Sequence, residues 1–397
     1  MDVAVLAQTS KPSIRRDAGQ PCRSTFPFEG KTMKKIALLG AGHIGQTIAR
    51  LLHDSGDYRV TVFDRNAQAA AVVRNHAHTF VELTGCDTGS LQRAISGHDA
   101  VVNALPYTMA TSAATAAVAA GCHYFDLTED VAATHAIQQL AEGASTVLMP
   151  QCGLAPGFIA IAAHHLAATF EQVDSVKMRV GALPAFPTNS LKYNLTWSVD
   201  GLINEYCQPC EAIRDGVRLS VQPLEDLEHF SLDGVEYEAF NTSGGLGTLC
   251  ETLSGRVRDL DYKSVRYPGH GALMKVLLNE LRLKDDQETI KTILKRAVPS
   301  TLQDVVLIFV VVSGLRRGVL TQEVFARKIF AERNNGHSAS AIQITTASAI
   351  CAAVDMFFGG QLPQRGFVRQ EQIALANFLA NRFGQVYAHS THIESLS

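Results

Sequence analysis

This sequence is short of the features that mark membrane, nucleic-acid-binding, secreted and metal-bound proteins. No apolar run approaches the ~20 residues that a spanning helix needs. The longest, Val305 to Val312, is valine-rich and bounded by Asp304 and Ser313-Gly314, so it reads as a central strand and no membrane is expected. There is no basic stripe: 35 Lys and Arg stand against 38 Asp and Glu, a net charge of −3, so nucleic acid is not an expected partner. The eight cysteines keep no disulfide-framework spacing. Cys207 and Cys210 form a lone C-x-x-C, with neither a second pair nor a matching histidine pair, while a zinc site needs about four ligands. They read as incidental thiols in a loop, and no metal is expected. Thiols of this kind suit a reducing cytoplasm, the expected location. A secretory h-region and internal repeats are also missing.

Residues 1–32 lack apolar periodicity and mix Ser, Pro, Arg and Gly. Arg15, Arg16 and Arg23 suggest a transit peptide, but Asp2, Asp17 and Glu29 oppose that reading. This stretch is expected to be a disordered extension, with Met33 as the start of the folded chain. The rest of the 397 residues, in a sequence 46% apolar and 18% charged, suits a globular, somewhat alanine-rich protein of two domains.

The chain is organised around Lys34 to Asp64. Ile36 to Leu39 form a short apolar run suited to a buried parallel strand. Gly40, Gly42 and Gly45 follow as G-x-G-x-x-G, then Ile48, Leu51 and Leu52 recur at helical spacing. Val60, Val62 and Phe63 make a second strand ending on Asp64, about 20 residues past the last glycine. Strand, tight turn, helix, strand and acid in that order are a dinucleotide-binding signature; the glycines alone would also fit a turn with no ligand. In this geometry Gly40 permits the turn, Gly42 admits a pyrophosphate, and Gly45 lets helix and strand approach. The helix start at His43 and Ile44 offers free N–H groups to the phosphates. Asp64 suits the adenosine ribose and repels a 2′-phosphate, which favours NAD; Arg65 beside it keeps NADP as the alternative.

Strands and helices go on alternating. Strands are expected at 79–83, 99–104, 123–127 and 146–150, with an alanine-rich helix from Met109 to Ala120 stopped by Gly121. Ligands in such sheets sit beyond the carboxyl ends of the strands. That rule selects Asp87, Asn103, Leu105, Pro106, Tyr107, Asp126 and the loop 151–157. Tyr107 and Asp126 fall near a bound nicotinamide, though Tyr107 also fits a turn aromatic and Asp126 a helix cap. The expected domains are 33–157 for dinucleotide binding, 158–338 as an α+β catalytic and dimerisation domain on a mostly antiparallel sheet, and 339–397 as helices returning to the first domain. In the second domain a strand is expected at Tyr193 to Ser198 and a helix at Val199 to Tyr206. Arg266 suits bidentate capture of a carboxylate, and His270 suits a general base; a solvated surface pair is the plainer alternative. Tyr193-Asn194 and Asn241 to Gly245 are further ligand candidates, the glycines bringing backbone N–H groups to a ligand or merely forming a bulge.

GAGHIG, NALPY, GLAPG, YNLTWSVDGL, YEAFNTSGGLGTL and YKSVRYPGH stand in an order that resembles the saccharopine dehydrogenase-like family, nearest its lysine 6-dehydrogenase group. The resemblance runs from Met33 past Arg365 and is most specific in the second-domain blocks. It implies a Rossmann domain completed by C-terminal helices, an inserted catalytic domain, and a homodimer or homotetramer. It implies NAD-dependent oxidation at the ε-carbon of L-lysine to 2-aminoadipate 6-semialdehyde and ammonia. The amine must lose a proton before hydride departs, and His270 or Asp126 is the expected base, with Tyr107 beside the nicotinamide. Arg266 would take the α-carboxylate, and Tyr193, Asn194, Thr242 and Ser243 the α-amino end. One departure stands out: Thr128-Glu129-Asp130 follow FDL where the lysine 6-dehydrogenase group carries Gly and His. Extra acid there suits a longer cationic substrate, so the alternative is a saccharopine- or carboxynorspermidine-type dehydrogenase acting on a secondary amine. A dinucleotide-binding protein without catalysis is the third reading.

Overall fold

The computed structural model describes residues 33–334 and 337–390; the expected N-terminal extension lies outside them. Strand β1 (Lys34–Leu39) buries its four apolar residues completely. Helix α1 (His43–Asp54) turns Ile48, Ala49 and Leu52 onto the sheet, and β2 (Tyr58–Asp64) returns parallel to β1. The series continues as β3 (Thr79–Glu82), β4 (Ala100–Asn103), β5 (His123–Asp126) and β6 (Val147–Met149). Their order is 3-2-1-4-5-6, so the strand order reverses between β1 and β4, the place at which sheets of this kind take ligands. The alanine-rich helix runs Ala110–Ala120 after a 3₁₀ turn at Tyr107–Met109, and Gly121 ends it in the left-handed region at φ 69°.

The C-terminal segment returns to this sheet as expected. Gly366–Phe367 adds a seventh parallel strand beside β6. The helix Ala341–Phe358 begins at a Ser340–Gln343 capping box and buries nearly every residue. It is long and apolar enough to cross a membrane, but its apolar faces lie in the protein core, with Ile350, Ala353, Val354 and Phe357 at most 1% exposed. Asp304 accepts hydrogen bonds from the N–H groups of Ala341 (2.5 Å) and Ile342 (3.0 Å) and so ties the start of this helix to the second sheet.

That second sheet contains β7 (Gln172–Pro184), β8 (Cys210–Arg214), β9 (Val217–Val221), β10 (Glu228–Leu232), β11 (Val235–Asn241), β12 (Val257–Arg266), β13 (Asp304–Arg316) and β14 (Val319–Phe330). The main path is 10-11-12-7-13-14, with β8 and β9 branching from β12. Only the β12–β7 pair is parallel. The valine run is therefore a central strand, flanked by β7 and β14. Ile36 and Leu38 of the first sheet, Phe158 of the helix Phe158–Ala167, and Val176 and Val306 of the second sheet belong to one continuous core. This shared core is why the site between the sheets is held by packing and not by a flexible linker. Tyr193 to Ser198 is not the expected strand: the segment is irregular, fixed by a bridge between Leu195 and Ser300 and by Asn189 Nδ2 donating to the Tyr193 carbonyl at 2.6 Å.

Candidate functional site

The loop 40–45 has the shape a pyrophosphate requires. Gly40 sits at φ 98°, and an added Cβ would lie 2.8 Å from the Ala104 carbonyl oxygen; at Gly45 it would lie 2.0 Å from the Gly40 carbonyl oxygen. A Cβ on Gly42 would meet nothing within 4 Å, so that backbone is open to a ligand. Helix α1 has no side-chain cap, which leaves its first N–H groups, at His43 and Ile44, free for anionic oxygens. Asp64 accepts from the Ala41 N–H (2.6 Å) and the Asn66 N–H (2.8 Å), which orients the carboxylate between loop and strand end; Arg65 is exposed beside it.

Other strand-end residues have internal work. Asp87 caps the helix Thr88–Ile95, accepting from the Ser90 N–H (3.0 Å) and Ser90 Oγ (2.6 Å). Asn103 is 2% exposed, donates to Tyr124 Oη (3.0 Å) and accepts from the Leu105 N–H (3.2 Å), so it shapes the turn that presents Leu105 and Pro106. Asp126 is 1% exposed. It accepts from the N–H groups of Thr128 (3.0 Å) and Gln151 (2.9 Å) and from Tyr124 Oη (2.9 Å). Burial pushes its pKa up to about 6 against those hydrogen bonds. Its placement is that of a tie between β5 and the loop after β6. It does not cap the next helix: Asp130 does, accepting from the Ala133 N–H at 2.7 Å.

The second domain brings a charged cluster against the loop after β5. Arg266, at the end of β12, is 3% exposed. Its Nε donates to Tyr206 Oη (2.8 Å) and its Nη1 to the Val265 carbonyl (2.8 Å). The rings of Tyr193 and Tyr206 flank the guanidinium, with centroids 5.4 and 5.7 Å away. No carboxylate among the described residues lies within ion-pair distance of it. Burial works against this charge, but Tyr206, Tyr193 and Glu205 around it outweigh burial and raise its pKa.

His270 meets Arg266 through the Tyr206 hydroxyl. It is 1% exposed, Nδ1 is 2.8 Å from the Leu191 carbonyl, and Nε2 is 3.1 Å from Tyr206 Oη. A carbonyl only accepts, so Nδ1 carries the proton and Nε2 accepts from Tyr206. Burial and the Arg266 charge lower its pKa to about 3. A relay thus runs Leu191, His270, Tyr206, Arg266, and its product is a fixed guanidinium. Both ring nitrogens are engaged, and through Tyr206 His270 positions Arg266. Glu238 fixes this corner by accepting from the N–H groups of Gly269 (2.7 Å) and Gly271 (2.6 Å).

Thr242 and Ser243 are likewise engaged internally, with Ser264 Oγ (2.8 Å) and the Pro209 carbonyl (2.8 Å), and Asn194 pairs with Thr188 and Asn189 in its own loop. The Ser243 N–H donates to the Glu205 carbonyl at 3.0 Å. The glycines that follow serve close approach: a Cβ on Gly244 would lie 2.3 Å from the Glu129 carbonyl oxygen, and one on Gly245 would lie 2.2 Å from the Tyr262 ring. The two domains meet there. Tyr107, half-buried on its 3₁₀ turn, has a pKa raised first by burial, and Lys291, Asp130, Glu129 and Asp200 surround it.

Two acids complete the cluster: Glu129, where the sequence already placed extra acid, and Glu205, which it did not mark. Glu205, on the helix Val199–Cys207, is 7% exposed. Burial raises its pKa to about 8; Arg266 lowers it and Glu129 raises it. Burial also takes partly buried Glu129 to about 7, with Asp130 and Asp126 adding to the rise. In sequence Glu205 follows Asn204 on what reads as the wet side of a short helix, so nothing marks it. A raised carboxyl contributes stability that is fully present below its unfolded value, near ~4.3, and lost as pH rises through the folded value. Melting temperature is therefore expected to fall from pH 5 to pH 9, and to fall less in Glu205→Gln; parallel curves would mean that Glu205 ionises as an ordinary surface acid.

A surface concavity of about 850 Å³ lies elsewhere, over Ser175, Lys177 and Lys263. Most of its charges pair with one another: Arg214 with Asp226 (2.9 Å) and Asp261 (2.9 Å), and Lys263 with Asp226 (3.0 Å) and Glu228 (3.2 Å). It offers no unpaired buried group of the kind Arg266 presents.

Comparison with known proteins agrees with this architecture. The family model for the saccharopine dehydrogenase NADP binding domain matches residues 36–149, and that for the saccharopine dehydrogenase C-terminal domain matches residues 153–384. The chain is 25% identical over 284 residues to a saccharopine dehydrogenase [NADP(+), L-glutamate-forming] of Pyricularia oryzae, covering 67% of this chain and 61% of that one. It is 24% identical over 277 residues to the Saccharomyces cerevisiae protein of the same name, covering 65% and 60%. Against the mitochondrial alpha-aminoadipic semialdehyde synthase of Mus musculus the match is 24% over 198 residues, 48% of this chain and 21% of that one. The chain thus spans about 60% of the length of these fungal relatives and about a fifth of the mouse protein. The apo saccharopine dehydrogenase (L-Glu forming) of Saccharomyces cerevisiae superposes with a TM-score of 0.71 over 85% of this chain and 94% of that one, at 16% identity, a likeness of fold.

Proposed function

This chain belongs to the saccharopine dehydrogenase family, and from that membership we propose that it is a nicotinamide-dinucleotide-dependent oxidoreductase acting at a C–N carbon of a lysine-derived amino acid, L-lysine foremost. The observation that carries the reading is Arg266: a buried guanidinium, held by Tyr206 and the Val265 carbonyl, with no carboxylate among the described residues at ion-pair distance. Such a group calls for an anionic ligand group, because an uncompensated buried charge is costly. Nothing else near it among the described residues is a second unpaired buried cation. One carboxylate fits L-lysine. Saccharopine carries three, and the relatives' names are the observation in its favour.

Oxidised dinucleotide, when bound, supplies the hydride acceptor. The chain supplies the rest. Gly40 to Gly45 and the start of α1 hold the pyrophosphate, and Asp64 takes the ribose hydroxyls. Arg266 fixes the α-carboxylate, and the Tyr193 and Tyr206 rings keep water from it. Loss of one amine proton and one hydride leaves an imine; water then gives 2-aminoadipate 6-semialdehyde and ammonium. Asp64 favours NAD over NADP by repelling a 2′-phosphate. A homodimer belongs to the same proposal, checked by light scattering.

The test is absorbance at the reduced-nicotinamide band with purified protein, NAD and L-lysine at mildly alkaline pH, then with L-saccharopine and with NADP. The expected result is reduction with L-lysine alone, ammonia release, and a higher kcat/KM for NAD. Reduction with saccharopine and none with lysine would move the protein to secondary-amine chemistry.

A further inference from the structure

We propose that Glu205 and Glu129 form an ammonium subsite beside Arg266, and that Glu205 accepts the proton the reacting amine must lose. The inference rests on the reading of Arg266 as carboxylate receptor. With Arg266 it fixes the substrate class: a monocarboxylate amino acid carrying a second amine.

The geometry places the acids together. A Cβ on Gly201 would lie 3.1 Å from Glu129 Oε1, so the Glu129 carboxylate sits over Gly201. Glu205 is four residues on in the same helix, hence on the same face one turn away, about 6 Å along the axis. Tyr206, next to it, is the residue that holds Arg266. The loop carrying Glu129 is pressed onto Gly244, while the neighbouring Ser243 N–H holds the Glu205 carbonyl, so both acids are anchored to one backbone segment.

Neither carboxylate has a hydrogen-bond or ion-pair partner on another residue among the described residues: Glu129 takes only its own backbone N–H, and Glu205, more than nine-tenths buried as a residue, takes none. The charged and titratable groups facing Glu205 are Arg266, Glu129, Tyr193, Tyr206, Tyr262 and Cys210. Arg266 is the sole cation among them, and it lies beyond ion-pair distance. A carboxylate so placed, with no cation at ion-pair distance, favours a donor that carries positive charge. An ammonium supplies one. The proton passes from the ammonium nitrogen to a Glu205 carboxylate oxygen, which frees the nitrogen lone pair to form the C=N bond as the hydride, with its two electrons, leaves carbon for the oxidised dinucleotide. Glu205 then releases the proton to water. Its pKa near 8 is matched to that exchange.

The experiment is calorimetric titration of the dinucleotide-loaded enzyme with L-lysine, and separately with L-saccharopine, at pH 7 in buffers of different ionisation heat. Binding an ammonium ionises Glu205, mostly protonated at pH 7, and Glu129, about half protonated, so about 1 to 1.5 protons should be released per ligand bound. Glu205→Gln should cut that release to about half a proton, the share of Glu129, weaken binding at least tenfold and remove the acid limb of the kcat/KM profile; Glu205→Asp should restore part of each. Glu129→Gln should weaken binding while the proton release persists. Dinucleotide affinity equal to wild type would show that each variant is folded. An unchanged proton count in Glu205→Gln overturns the proposal. If wild type binds neither ligand, the lysine-derived reading fails, and the subsite is decided by carboxyl-carbon resonances: the Glu205 signal, identified by its loss in Glu205→Gln, must titrate above pH 7 and shift with propylammonium. A signal titrating below pH 5, or indifferent to propylammonium, overturns the proposal on its own.

Discussion

Arg266→Ala is expected to lower kcat/KM for L-lysine by about 10²- to 10³-fold, mainly through KM, while dinucleotide affinity stays within about threefold of wild type. Truncating one partner of a desolvated, hydrogen-bonded charge pair costs about 2–5 kcal/mol, and each 1.36 kcal/mol is a factor of ten. Arg266 meets those conditions: it is 3% exposed, and Tyr206 and the Val265 carbonyl hold its plane before any substrate arrives. The carboxylate stays bound from ground state to transition state, so its loss acts chiefly as uniform binding, with a smaller loss in kcat from poorer orientation. Arg266→Lys keeps the charge but not the planar fork that reaches Tyr206, and should fall between the two. The discriminating substrate is cadaverine, which has the amines of lysine and no carboxylate. Its turnover should be slow in wild type and nearly indifferent to Arg266→Ala. A lysine KM unchanged in Arg266→Ala would remove Arg266 as the carboxylate receptor.

What the sequence revealed of this site follows the range of the interactions. The segment from Lys34 to Asp64 was legible because its glycines, helix and terminal acid act on one another within one turn of structure, and the strand-end rule then located Leu105 to Tyr107. Residue type alone identified Arg266 as a carboxylate candidate. It did not reveal burial, and burial separates the roles of Arg266 and His270: the same sealing that leaves Arg266 without a carboxylate closes both nitrogens of His270. Asp126 and Asp130 are both acids after β5, and only the structure shows that the first ties the loop at Gln151 while the second caps the helix. Tyr193 to Ser198 has the composition of a strand, yet the partner that fixes Leu195 is Ser300, far along the chain. Glu205 was illegible for a related reason. Its helix is covered on nearly every side, so the usual inference from an amphipathic pattern to a wet face does not hold there.

Gly45→Ala and Gly42→Ala should separate stability from cofactor binding at the other end of the site. A Cβ at position 45 would fall 2.0 Å from the Gly40 carbonyl oxygen and 2.9 Å from its carbon, both backbone atoms. Neither can rotate away, so the start of α1 must slide off the loop. Overpacking of this kind costs about 1–3 kcal/mol, and it displaces the N–H groups that would meet the pyrophosphate. Gly45→Ala is therefore expected to melt several degrees lower and to bind dinucleotide at least about 100-fold more weakly. Position 42 differs. Its φ of −67° is ordinary for any residue, and a Cβ there meets nothing within 4 Å. Gly42→Ala should keep the wild-type melting temperature in the absence of dinucleotide, or gain slightly from a stiffer unfolded chain. Its methyl group would occupy the approach that the pyrophosphate needs, so affinity should fall at least tenfold and the melting shift produced by the dinucleotide should shrink with it. Thermal unfolding with and without NADH, together with NADH fluorescence titration, reads both quantities. Equal affinity in wild type and Gly42→Ala would mean that the phosphates do not pass over this glycine; a stable Gly45→Ala would mean that the contact between α1 and the loop is looser than the 2.0 Å approach requires.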